Sequence, residues 1–167
     1  QLSMRLHYRQ RRSHSAPVLP NKSKLTTALL ESLPFELTSG QKKAFAEISR
    51  DLAACHPMQR LLQGDVGCGK TVVAALAMLQ AIENDCQAAL MAPTEILAEQ
   101  HYQKLSGWLG PLLAPLGVTI ARLSGNQKKK QRETALADIA EGRAMLAVGT
   151  HALFQEQVEF GRLGLAI

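Results

Sequence analysis

The segment GDVGCGKT, residues 64–71, constrains this chain more than any other. Its pattern is Gly64, four residues, then Gly69, Lys70 and Thr71. The short apolar run RLLQ (60–63) ahead of it reads as a strand, and the stretch from Lys70 to about Glu83 reads as a helix. Strand, glycine loop, helix is the context in which this spacing makes a phosphate cradle. Glycine permits positive φ and lets backbone approach an anion with no Cβ in the way. Successive N–H groups form a concave nest, and the helix N-terminus adds partial positive charge. Lys70 then reaches the β- and γ-phosphates, and the Thr71 hydroxyl ligates Mg²⁺. The expected ATP-binding set is Gly64, Asp65, Val66, Gly67, Cys68, Gly69, Lys70 and Thr71, with Lys70 and Thr71 as its catalytic pair. A thiol at a helix N-terminus can be acidified, but a small loop-filling role is the simpler expectation for Cys68.

The remaining sequence alternates between the two periodicities. A short helical pattern runs from Leu25 to Ser32, and Thr38 reads as the N-cap of a helix reaching about Ala54. The helix after the glycine loop is apolar nearly all round (VVAALAML), which predicts burial. Then follow a strand (AALMA, 88–92), a helix (94–105), a strand (VTIARL, 118–123), a polar helix (about 128–141) stopped by Gly142, and a strand (AMLAVGT, 144–150). LGLAI (163–167) begins one more strand. Strands alternating with helices predict an α/β fold: a parallel sheet with helices on both faces. Ligands of such sheets bind beyond the carboxyl ends of the strands, which is where every loop singled out here falls.

Charge is segregated. The net charge of +5 comes from residues 1–24, which carry Arg5, Arg9, Arg11, Arg12, Lys22 and Lys24 and no acid. The other residues hold 13 bases against 14 acids. We therefore expect a basic linker over 1–24, able to touch nucleic acid or simply solvated, ahead of a near-neutral domain over 25–167. Pro17 and Pro20 interrupt any regular element there. Hydrophobic residues make up 46% with no apolar run long enough to cross a membrane, so a water-soluble domain with no membrane partner is expected. Three cysteines, Cys55, Cys68 and Cys86, lack metal-ligand spacing, and free thiols in a reducing cytoplasm are expected.

Two kinds of phosphate-loop machine compete at this point. LSGNQKKKQR (123–132) is similar to the LSGGQ signature of ABC transport ATPases. The spacing excludes that reading: a helix, a strand and a long loop intervene before LGLAI, where the signature should sit close ahead of the acidic strand. The other kind rests on several segments at once: LPFELTSGQ (33–41), GDVGCGKT (64–71), MAPTEILAEQH (91–101), LSGNQKKK (123–130) and VGTHALFQEQVEF (148–160). In order and wording they resemble motifs Q, I, Ia and Ib of superfamily 2 helicases, and within these the RecG family of bacterial branch-migration helicases.

The resemblance implies a RecA-like P-loop fold, ATP and Mg²⁺, and branched DNA (stalled forks and Holliday junctions) as substrate. It implies that Gln41 meets the adenine edge with Phe35 packed near the base. Thr38-x-x-Gln41 is equally a capping box, in which Gln41 reaches back to its own helix. It places Pro93, Thr94 and Glu95, then Gly149, Thr150 and His151, along a nucleic-acid track. Ser124, Gly125, Lys128, Lys129, Lys130 and Arg132 are expected to grip phosphates there, the alternative being a solvated helix face. Aromatic residues are 4% of the chain, too few for stacking platforms, so the grip would follow the backbone whatever the sequence. The family carries Ser where this chain has Cys68. Its acidic DE-x-H box, second RecA-like domain with an arginine finger and junction-splitting wedge domain are expected beyond residues 1–167, in a bacterial cytoplasmic protein. The chain alone is then expected to bind nucleotide weakly and not to turn over ATP. A non-catalytic nucleotide-binding module ending at Ile167 remains the alternative, and an acidic box directly after LGLAI would discriminate the two.

Overall fold

The computed structural model describes residues 15–65 and 69–167. Five α-helices and four strands lie among them. Helices α1 (Leu25–Ser32), α2 (Ser39–Leu52) and α3 (Lys70–Glu83) come first. Strand β1 (Gln87–Met91), helix α4 (Glu95–Leu113), strand β2 (Thr119–Leu123), helix α5 (Lys129–Ala140), strand β3 (Ala144–Gly149) and strand β4 (Leu163–Ala166) follow. The strands form one sheet in the order β2-β3-β1-β4. All three pairings are parallel, as the alternation predicts.

Helix α3 is the centre of the larger core. Every residue from Ala75 to Ile82 is buried. It packs with α4 on one face of the sheet, against Ala88, Leu90, Leu146, Val148 and Leu165. On the other face α5 places Ala135 and Ile139 against Ala121, Leu123 and Ala147. Val148 and Ala147 thus face opposite sides, following the period of two along a strand. Gln87 is buried yet satisfied: its amide donates to the carbonyls of Ile139 and Ala144 and accepts from the Arg162 N–H. One side chain thereby joins the end of α5 and the starts of β3 and β4.

Two stretches depart from expectation. Helix α4 runs on to Leu113 through Gly107, Gly110 and Pro111, where a stop near residue 105 was expected. Leu105, Leu109 and Leu113 are each fully buried. Burial on that i, i+4 stripe outweighs the weak helix propensity of the glycines. RLLQ (60–63) is not a strand. Arg60 is held instead by Glu47 and Asp51 of α2, and Leu61 is 79% exposed. A groove of about 670 Å³ separates Leu61 and Leu62 from Leu165, Ala166 and Ile167 of the outermost strand. An isolated extended segment with no neighbour within ladder distance gains nothing from strand conformation.

The residues leading into α1 are tied down. Ala16 N–H donates to the Cys55 carbonyl and Leu19 N–H to that of Leu52, both at 2.9 Å. The buried Gln80 amide donates to the carbonyls of Leu19 and Ser49. At the C-terminal end of α3 the Glu83 carboxylate accepts from the backbone N–H groups of Lys22, Lys24, Leu25 and Thr26. Helix α1 has no cap of its own, so a carboxylate from α3 takes its first-turn amides, where negative charge is favourable. Cys55 and Cys86 are free thiols. Leu109→Ala should lower stability by about 2–5 kcal/mol through cavity formation, measured as a shift of the urea midpoint at unchanged slope.

Candidate nucleotide site and strand-end ledge

Three residues separate α3 from β1, and the two elements pack together. Helix α3 therefore runs antiparallel to the strands. Its N-terminus, with Lys70, lies at the edge where the strands end. Gly69 caps α3 in the left-handed region (φ 77°, ψ 34°). A Cβ on Gly69 would fall 2.2 Å from the Gln41 side-chain nitrogen, so only glycine fits that close approach. No side chain caps α3 and no acid stands in its first turn. An amide-rich, positively polarised helix end with a lysine on it is suited to an anion. The exposed Lys70 ammonium donates to the Gly64 carbonyl at 2.7 Å, so the lysine already folds over the loop. Val66, Gly67 and Cys68 lie outside the described residues.

A cavity of about 240 Å³ adjoins this loop, lined among others by Thr38, Gln41, Gly64, Gly69 and Lys70. Both halves of the capping box are present: Gln41 N–H donates to the Thr38 hydroxyl (3.2 Å), and Thr38 N–H donates to the Gln41 side-chain oxygen (2.9 Å). The box holds Gln41 in the cavity wall with its side-chain nitrogen toward Gly69. Phe35 is not in that lining; its ring packs edge-on to Trp108, centroids 6.5 Å apart. Thr71 is half-buried at the start of α3. Among the described residues no group of three or more His, Cys, Asp or Glu side chains could hold a metal ion.

The other expected residues gather beyond β1, β2 and β3. Thr94 caps α4 by accepting from Leu97 N–H. The Glu95 carboxylate accepts from Gly125 N–H at 2.9 Å and from the Thr150 hydroxyl at 3.4 Å. Its pKa is lowered by the Gly125 N–H first, then by the Ser124 hydroxyl, against a smaller desolvation effect. These bonds are complete at neutral pH and are lost as pH falls from the ordinary 4.5 through the lower folded value. Gly149 ends β3 against its neighbour: a Cβ there would lie 2.4 Å from the Leu123 carbonyl oxygen. Ser124 and Thr150 are buried, whereas Pro93, Lys128, Lys129, Lys130 and His151 are exposed. Lys129 pairs loosely with Glu133, and Arg132 donates to Gln155. The sequence reading missed the buried status of Ser124 and Thr150. It also missed Gln127, whose amide donates to the Arg122 carbonyl and shapes the turn after β2.

A parallel α/β sheet with an uncapped, lysine-bearing helix N-terminus at its strand-end edge defines a nucleotide-binding protein of the P-loop class. The DEAD/DEAH box helicase family model matches residues 38–167, and the chain belongs to that family. Its sequence is 51% identical over 156 residues to the ATP-dependent DNA helicase RecG of Escherichia coli (strain K12), covering 93% of this chain. It is 45% identical over 163 residues to RecG of Mycobacterium bovis. The chain spans 22% of the length of each of these relatives. A solved RecG bound to a three-way DNA junction superimposes with a TM-score of 0.88 at 39% identity, over 99% of this chain and 22% of that one. A hypothetical ATP-dependent RNA helicase from Sulfolobus tokodaii shares the fold at a TM-score of 0.56 and 16% identity, over 78% of this chain and 34% of that one. The motif resemblance to RecG is thus borne out across nearly all of the chain. No described helix is long and apolar enough to cross a membrane.

Thr38→Ala removes the reciprocal cap of α2 and should cost about 1 kcal/mol. Chemical denaturation of the variant against its parent measures it.

Proposed function

We propose that this chain is the ATP-binding part of the first RecA-like motor domain of a bacterial DNA helicase that remodels branched DNA. Residues 25–167 belong to the motor, and residues 1–24 lead into it. The observation that carries the reading is the helix end at Gly69 and Lys70: left-handed glycine, no side-chain cap, and a lysine folded over the loop. The loop amides and Lys70 hold the β- and γ-phosphates of ATP, and Gln41 meets the adenine edge from the cavity wall. The Thr71 hydroxyl is one ligand of Mg²⁺, which neutralises charge on the phosphates when bound. Phosphoryl transfer asks little of the protein beyond positioning and charge stabilisation. The parts this chain supplies are the lysine, the hydroxyl and the amides.

Pro93, Lys128, Lys130 and His151 stand exposed along one edge with Thr94 and Gly149, and this edge is the DNA track. The solved RecG relative was captured on a three-way DNA junction, which supports forks and Holliday junctions as the substrate class. A second RecA-like domain closing over the nucleotide and a wedge at the branch point are the expected partners within one cytoplasmic protein. Closure and opening of that cleft, coupled to grip on the DNA backbone, would drive stepping.

In the full-length protein, Lys70→Ala should abolish ATPase and unwinding while DNA binding stays near the parental level. ATP turnover by the variant at the parental rate would overturn the assignment. Lys128→Ala and Lys130→Ala should each shallow the dependence of log K on log salt by about 0.9 on duplex DNA. An unchanged slope in both would mean a solvated helix face.

A further inference from the structure

Three strand-end loops converge on one carboxylate. Glu95 opens α4, after β1; Ser124 and Gly125 follow β2; Thr150 follows β3. The Gly125 N–H and the Thr150 hydroxyl both donate to the same oxygen of Glu95. The Ser124 hydroxyl donates to that carboxylate as well. A Cβ on Gly125 would lie 3.4 Å from this oxygen, so the loop fits closely over the acid. Glu95 is half-buried and carries the wrong charge for a phosphate contact. Ser124 and Thr150 are 6% and 3% exposed, so these hydroxyls belong to the interior of the cluster.

We propose that Glu95 is a positioning residue: by holding Gly125, Ser124 and Thr150 it fixes the β1, β2 and β3 end loops as one ledge that presents Lys128, Lys130 and His151 to the DNA backbone. The inference rests on reading this edge as the DNA track. It changes the role of four residues in that reading. Glu95, Ser124, Gly125 and Thr150 serve as the frame, and the exposed cations beside them make the contact. It also accounts for an acid in the middle of a surface meant for an anion. Its charge is neutralised by donors from the neighbouring loops, and its place in the first turn of α4 faces the positive end of that helix.

Two substitutions in the full-length protein separate positioning from charge. E95Q keeps the accepting oxygen and removes the charge; E95A removes both. The proposal expects E95A to weaken branched-DNA binding about tenfold. The DNA concentration for half-maximal ATPase should rise by about the same factor, while the maximal rate falls less than about twofold. E95Q should stay within about threefold of the parent in both. Hydrogen exchange of the peptide covering residues 123–128 should quicken in E95A and not in E95Q. If E95A lowers the melting temperature so far that binding cannot be read, Thr150→Val, which deletes one donor and keeps the shape, is expected to weaken binding in the same direction. A purely repulsive acid would make both E95A and E95Q bind DNA more tightly, and that result overturns the proposal. Equal weakening by both variants overturns it too. If E95A is silent while Lys128→Ala and Lys130→Ala still shallow the salt slope, the positioning role fails and the track stands. If all are silent, the track itself falls.

Discussion

The burial of α3 is the constraint on which the other features depend. A helix apolar on all sides has no stable place except between other layers. Once it lies against the sheet with α1, α2 and α4 around it, its direction is set by the three-residue turn into β1. That direction delivers Lys70 and the first-turn amides to the edge where β1, β2 and β3 end. Parallel pairing brings the loops after those strands to the same edge. The candidate nucleotide site and the ledge beside it are therefore neighbours by topology before any side chain is considered. What the side chains add is local fixation: the Thr38–Gln41 box, the close approach of Gln41 to Gly69, and the Glu95 cluster.

Most of this architecture was legible because it is written in periodicity and punctuation. Strands β1 to β4 and helices α1, α2, α3 and α5 stand within a residue or two of where apolar spacing, Thr38 and Gly142 put them. Helix α4 was under-read because local propensity and tertiary burial disagree there. Gly107, Gly110 and Pro111 argue for a stop, yet the Leu105, Leu109 and Leu113 stripe continues and wins. RLLQ was over-read for the opposite reason. A short apolar run carries no information about whether a neighbouring strand lies within reach.

The site was legible in part. Gly69, Lys70 and Gln41 fall where motif spacing puts them, because that spacing encodes backbone geometry. The two readings of Thr38-x-x-Gln41 prove compatible: the capping box is what turns Gln41 toward the glycine loop. The inward hydroxyls of Ser124 and Thr150 and the shared acceptor on Glu95 were not legible. Residues 95, 125 and 150 are far apart in sequence, and no one-dimensional pattern records that they meet at one oxygen.

Glu83 has a practical consequence for anyone trimming the gene. The visible start of regular structure is Leu25, and a cut there looks natural. Yet four backbone amides between Lys22 and Thr26 converge on that carboxylate, and Leu19 upstream fills a fully enclosed place beside Gln80. Excision at residue 25 would leave an acid without its first donors, an interior amide without its acceptor, and an open apolar socket next to the helix that carries Lys70. The minimal self-sufficient unit must begin ahead of Ala16.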